Sequence, residues 1–72
     1  MTSIWIYVTN LESQLNISLA AHILDAETNI LCWSLDTEDK DKVLRVETTV
    51  LKEDYIPMLL AKHKMNCFPM PD

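Results

Sequence analysis

The chain has 72 residues, of which 49 % are hydrophobic and 24 % are charged, and it contains no glycine. This length predicts one domain with one apolar core. The formal charge of -5 argues against nucleic-acid binding, which needs cations to neutralise phosphates, and it disfavours anionic membrane surfaces. The lack of glycine excludes glycine-rich phosphate loops. The residues expected to take positive φ angles instead are Asn10, Asn16, Asn29 and Asn66.

The first strand is predicted over residues 3–8 and is apolar on both faces. Ile4, Ile6 and Val8 share one face. Trp5 and Tyr7 share the other face, which we expect to be the open side of a sheet. A strand without a polar face is typical of the middle of a sheet, so this strand is predicted to be central.

A helix is predicted from about Leu11 to about Ala26, after a capping-box pattern at residues 9–12. Apolar residues then recur at helical spacing and are expected to form its buried face. They are Leu15, Leu19, Ala20 and Ile23.

Two alternating arms flank a charged turn between Asn29 and Thr49, which predicts a β-hairpin. The apolar positions of the arms are assigned to the core face. They are Leu31, Trp33, Leu35, Leu44 and Val46, with Thr48 as a further candidate. The alternate positions are mostly polar and are assigned to the face that meets water or a partner. These are Cys32, Ser34, Arg45 and Glu47.

A second helix is predicted to begin near Asp54, which places Pro57 in the first turn, where proline is tolerated. A closing strand over residues 65–70 is confined to an edge by Pro69. The order β-α-β-β-α-β predicts an α+β ferredoxin-like sandwich, in which two helices cover one face of a four-stranded antiparallel or mixed sheet. The first and third strands are expected to be central and parallel, and the two helices to run roughly parallel.

The chain resembles a family of short, stand-alone bacterial proteins that look like heavy-metal-associated domains without the metal motif. The residues that carry the resemblance are Thr9-Asn10, Trp33, Asp36, Asp39, Asp41, Lys42, Val43, Leu44, Arg45, Val46 and Cys67. The resemblance implies the ferredoxin-like fold and no specific activity. Lys64 stands where the family pattern has glycine, and Phe68-Pro69 replaces an acidic pair, which leaves the path of the last strand open.

Metal-binding residues can be sought in two places. A metallochaperone of this fold carries a Cys-x-x-Cys pair after its first strand, and that loop here contains no cysteine. Weak candidate ligands remain at His22 and His63, which lie near the C-terminal ends of the two helices, and at the acidic turn. The turn candidates are Asp36, Asp39 and Asp41, although a solvated hairpin tip is the favoured interpretation of these acids.

We therefore expect a non-catalytic binding or self-association domain, with no cofactor and with neither nucleic acid nor membrane as its partner. The candidate contact residues for a protein partner or a homodimer are Trp5, Tyr7 and Arg45. Arg45 is also expected to form an ion pair across the hairpin that fixes its register. The alternative is a metal-binding or metal-responsive protein that uses its histidines and acids. The sequence shows no signal peptide and no apolar span, so the cytoplasm is the expected location.

Overall fold

The computed structural model describes residues 1–71. Its helices and strands follow the predicted order. They are β1 (Ser3–Thr9), α1 (Gln14–Ala26), β2 (Ile30–Asp36), β3 (Val43–Thr48), α2 (Tyr55–Ala61) and β4 (Cys67–Pro69). The four strands form one sheet in the order β2-β3-β1-β4. The ferredoxin-like fold predicted from the sequence is confirmed.

Every pair of neighbouring strands is antiparallel, so the expected parallel pairing of the first and third strands is wrong. The strand that runs parallel to β1 is β2, as the crossover through α1 requires. The hairpin then folds β3 back between them, so β3 is antiparallel to both. The same topology makes α1 and α2 antiparallel, because each helix reverses the direction of the strand before it.

The faces of β1 are the reverse of the prediction. Tyr7 has no exposed surface, and Trp5 packs against the core cluster. Ile4 is 46 % exposed on the opposite side of the strand. Because both faces of β1 are apolar, the two-residue period cannot distinguish them, and the packing of the neighbouring elements decides which one is buried.

The core lies between the sheet and the two helices. Its buried side chains come from every strand except β2, from both helices and from two loops. They are Tyr7, Leu11, Ala20, Leu24, Leu44, Val46, Ile56, Leu60, Met65 and Cys67. Burial of each large apolar side chain in such a core contributes about 1.5–3 kcal/mol relative to exposure, which gives a chain of this size its main source of stability.

Helix α1 begins later than predicted and buries only part of the predicted face, from which Ile23 packs against the core. Its N-cap is Ser13, whose hydroxyl accepts a hydrogen bond from the Asn16 amide at 3.1 Å. Of the predicted face only Ala20 is fully buried, and Leu24 is its buried neighbour one turn later. Leu15 is 79 % exposed. The helix is apolar around much of its circumference, so helical spacing alone does not identify the buried face.

The first arm of the hairpin contains a β-bulge, where the pairing register shifts between Ile30 and Cys32. The bulge moves Leu31 out of the core, and its side chain is 59 % exposed. Ile30 packs against the core in its place. An extra residue in one strand reverses which face of the sheet the side chains on one side of the bulge occupy. No feature of the sequence indicated this bulge.

Lysines, and not the predicted asparagines, take the positive φ angles among residues 1–71. Lys64 has φ of 63° and follows the end of α2, where its amide donates to the Ala61 carbonyl at 3.0 Å. The Met65 amide donates to the Leu60 carbonyl at 3.1 Å. Lysine therefore takes the left-handed position that usually favours glycine after a helix.

Thr48 connects the end of β3 to the rest of the fold and is fully buried. Its hydroxyl donates to the Asn29 carbonyl at 2.7 Å and accepts from the amides of Val50 and Leu51 at 3.3 and 3.1 Å. One hydroxyl thus satisfies three backbone groups where β3 turns towards α2. Threonine was predicted as a further core candidate at this position, and the prediction is confirmed.

Replacing Thr48 by valine is expected to destabilise the fold by about 1–3 kcal/mol, because valine keeps the shape but leaves backbone groups without partners. The matched control is Thr49→Val, since Thr49 is exposed and makes none of these bonds. Urea unfolding of both variants measures the difference. Equal stabilities of the two variants would contradict the role given to the Thr48 hydroxyl.

Candidate functional site

The side of the sheet opposite the helices, here called the open face, is the candidate site. Strand alternation and the observed register place ten side chains on it. They are Ile4, Ile6 and Val8 from β1, Val43, Arg45 and Glu47 from β3, Cys32, Ser34 and Asp36 from β2, and Phe68 from β4. The polar assignment of the hairpin positions on this face is confirmed.

Apolar side chains form a strip along the central strand of the open face. The strip consists of Ile4, Ile6, Val8 and Phe68, and Val8 lies opposite Phe68 in the register. Phe68 is 61 % exposed, while Ile6 and Val8 are half-buried. No element formed by residues 1–71 covers this side of the sheet, so the strip meets solvent in this part of the chain.

An ion pair borders the strip on the β3 side. The Arg45 guanidinium donates to a Glu47 carboxylate oxygen at 2.9 Å, and the two side chains are 44 % and 29 % exposed. Both residues belong to β3, so the pair does not cross the hairpin, and the prediction that it fixes hairpin register is wrong. The guanidinium has five N–H donors, which leaves several for another acceptor.

Of the three predicted contact residues, only Arg45 lies on the open face. Trp5 donates its indole N–H to the Leu51 carbonyl at 3.0 Å, and Tyr7 donates its hydroxyl to the Glu53 carbonyl at 2.7 Å. Both aromatic residues therefore lie on the helix side and tie β1 to the segment before α2. Burial is the main cause that raises the pKa of Tyr7, and the nearby Cys67 thiol adds to it.

The acidic turn uses its carboxylates to organise its own backbone. Asp36 accepts hydrogen bonds from the amides of Glu38 and Asp39 at 3.1 and 3.2 Å. Asp39 accepts from the amide of Asp41 at 2.8 Å. These contacts are those of a hairpin tip shaped by Asx-type turns, in agreement with the structural interpretation of these acids.

The two histidines are both exposed, and the structure does not bring them together as one site. His22 lies in the last turns of α1, and His63 follows the end of α2. Because the helices are antiparallel, their C-terminal ends lie at opposite ends of the helical layer. Among residues 1–71, no group of three or more His, Cys, Asp or Glu side chains is placed to hold a metal ion.

A groove of about 390 Å³ between α2 and β4 was not predicted from the sequence. Its apolar lining includes Pro57, Met58, Ala61, Met65, Phe68 and Pro69. Phe68 therefore borders both the groove and the open face.

The two cysteines lie on opposite edges of the sheet and have opposite environments. Cys32 is exposed on the open face, whereas Cys67 is only 5 % exposed. Burial raises the pKa of the Cys67 thiol to about 12. Cys67 is therefore a buried apolar side chain and a poor nucleophile.

Comparison of the chain with protein-family profiles, curated proteins and solved structures finds no match. The resemblance to heavy-metal-associated domains therefore stays a prediction from the sequence. Within the described residues, no helix is both long enough and apolar enough to cross a membrane.

Alkylation should distinguish the two thiols. At pH 8, iodoacetamide is expected to label Cys32 readily, while Cys67 reacts only when the protein unfolds, since burial suppresses both access and thiolate formation. Mass spectrometry of native and urea-treated samples measures both rates. Equal labelling of the two cysteines in the native protein would show that Cys67 is not buried as described.

Cys67 also predicts a loss of stability in alkali. The pKa of the Cys67 thiol is higher in the folded protein than in the unfolded chain. The contribution of this thiol to the free energy of unfolding is therefore complete below pH 9 and decreases as the pH rises towards about 12. In Cys67→Ala the decrease between pH 9 and 10 should be smaller than in the matched control Cys32→Ala. Urea midpoints across this range measure it, and parallel curves for both variants would refute the assignment.

Arg45→Ala is expected to change the free energy of unfolding by less than about 1 kcal/mol, because water screens its exposed ion pair. Glu47→Ala and the double variant complete a thermodynamic cycle. A coupling energy well above that value would show that the pair is a structural element and not a free surface group.

Proposed function

We propose that this protein is a non-catalytic binding or self-association domain that contacts a protein partner, or a second copy of itself, through the open face. The observation that carries the proposal is the uncovered apolar strip of Ile4, Ile6, Val8 and Phe68. Contiguous exposed apolar surface is costly in water and is typical of interaction sites.

The composition of the open face supports a protein as the occupant. Interfaces combine an apolar centre that includes aromatic residues with a polar rim, and arginine is enriched among their residues. Phe68 supplies the exposed aromatic side chain of the strip. Arg45 and Glu47 supply a rim with one charge of each sign. A partner carboxylate could bind the remaining guanidinium donors without breaking the bond to Glu47.

The charge of the face also supports this choice. Arg45 is its single cationic side chain, alongside the acids Glu47 and Asp36, in a chain whose formal charge is -5. A nucleic acid would need a basic surface, whereas apolar contact with a protein needs little net charge.

Removal of the exposed aromatic ring tests the proposal. Phe68→Ser is expected to weaken capture of the partner at least tenfold, because this side chain contributes the most exposed ring on the open face. The control is Leu15→Ser, which removes a side chain that is 79 % exposed on α1, away from the open face. Affinity capture by immobilised wild type and both variants, with quantification of the retained proteins, measures the effect.

The same variants should be compared by sedimentation equilibrium, so that self-association is measured beside partner capture. The proposal predicts that Phe68→Ser reduces one of the two processes and Leu15→Ser reduces neither. Retention of both processes by Phe68→Ser, at wild-type strength, would overturn it.

A further inference from the structure

The two edges of the sheet differ in how well they are protected from pairing with another strand. The β4 edge is three residues long and contains Pro69, which lacks an amide donor. The β2 edge is seven residues long, and its sequence ILCWSLD contains no proline, lysine or arginine. Short strands, proline, lysine and β-bulges are devices that prevent edge pairing. β2 has a bulge near its start but none of these devices in its regular part, residues 32–36, so it is the less protected edge.

Known hydrogen bonds identify which backbone groups of β1 point in each direction. The Met70 amide donates to the Ile6 carbonyl at 2.9 Å, and the Asn10 amide donates to the Asn66 carbonyl at 3.3 Å. The backbone N–H and C=O groups of even-numbered β1 residues therefore point towards β4. Because the direction of the backbone groups alternates along a strand, the N–H and C=O groups of odd-numbered residues such as Tyr7 point towards β3.

The alternation continues across the sheet to the outer edge. Tyr7 pairs with Leu44, so the backbone N–H and C=O groups of even-numbered β3 residues point towards β1. Those of odd-numbered β3 residues, such as Arg45, point towards β2. Arg45 pairs with Ser34, so Ser34 directs its backbone inwards. The residues on either side of it, Trp33 and Leu35, therefore direct their amides and carbonyls outwards. Within residues 1–71 these outward groups have no hydrogen-bond partner.

The side chains of the two residues leave this edge clear. Trp33 and Leu35 pack against the core on the helix side, and the Trp33 indole donates to Asp25 of α1 at 2.8 Å. Ser34 is exposed on the open face. The edge therefore offers backbone donors and acceptors alone, and an antiparallel copy of the same edge is their geometric complement.

We propose that β2 pairs antiparallel with β2 of a second copy about a two-fold axis, joining two sheets into one of eight strands. This proposal rests on the proposed function, since it names the second copy as a partner and the β2 edge as its place of contact. Trp33 of each copy pairs with Leu35 of the other, and each pair exchanges two backbone hydrogen bonds. The axis then passes between the two Ser34 residues.

The β-bulge selects this register. A shift that centres the axis on Trp33 would pair Leu35 with Leu31, which lies at the irregular position between Ile30 and Cys32. A bulge disrupts the ladder locally, so that register loses regular hydrogen bonds. The register centred on Ser34 uses only the regular part of β2.

The dimer extends the open face across both copies. Each Cys32 then lies opposite Asp36 of the second copy, and the two Cys32 residues are about 14 Å apart along the strands, beyond disulfide reach. The two Ser34 residues form a non-hydrogen-bonded pair with α-carbons about 4.5 Å apart, within the range that a disulfide spans.

The first test places like charges across the axis. Wild type is expected to sediment at twice the chain mass of 8.3 kDa, and Ser34→Lys should raise the dimer dissociation constant at least tenfold. Ser18→Lys is the matched control, because Ser18 is exposed on α1 and adds the same charge. Sedimentation equilibrium measures all three constants, and circular dichroism verifies that each variant is folded.

The second test reads the register directly. Ser34→Cys combined with Cys32→Ser is expected to form a disulfide-linked dimer under mild oxidation, seen on a non-reducing gel. Wild type, with Cys32 alone at the edge, and Ser18→Cys combined with Cys32→Ser should remain uncrosslinked under the same conditions.

A monomeric wild type, or a dimer that Ser34→Lys leaves intact, overturns the edge pairing. If Phe68→Ser instead dissociates that dimer, or abolishes capture of another protein, the proposed function of the open face stands while the β2 contact fails. If Phe68→Ser changes neither process and Ser34→Lys separates the copies, the edge pairing stands and the open face loses its role.

Discussion

The burial of Tyr7 and Trp5 on the helix side of β1 is the constraint on which the rest of the structure depends. Each ring fills the core, and each polar group bonds to a carbonyl of the segment between β3 and α2, at 2.7 Å from Tyr7 and 3.0 Å from Trp5. A buried aromatic residue with a polar group needs such an acceptor. These two bonds therefore join the central strand to the connection that positions the second helix.

This constraint also decides what the other side of the sheet presents. With the aromatic rings on the core side, the alternating residues Ile4, Ile6 and Val8 lie on the other side of β1 and form the apolar strip with Phe68. The two helices both cover the core side, so none of the described elements covers the strip. The uncovered face and the less protected β2 edge are the surfaces on which the proposed contacts with other protein chains rest.

Most of the fold could be predicted from the sequence, but the exposed sites could not. Element order, the position of Pro57 in the first turn of α2 and the core face of β3 follow from local patterns that the structure confirms. The predicted face of β1 was wrong and that of α1 was only partly right, because both elements are apolar on more than one side. The prediction that Leu31 lies in the core was wrong because a β-bulge turns its side chain to the other face, and no local sequence pattern indicates that bulge.

The sequence by itself determined the architecture, since alternation, helical spacing and turn chemistry are local properties that survive without knowledge of neighbours. It also determined the acidic character and the lack of glycine, for which lysine at position 64 substitutes after α2. Only the tertiary structure decided which face of β1 is open, which side of α1 is buried and where β2 carries its bulge. These properties depend on which elements lie beside one another, and a one-dimensional pattern does not contain that information.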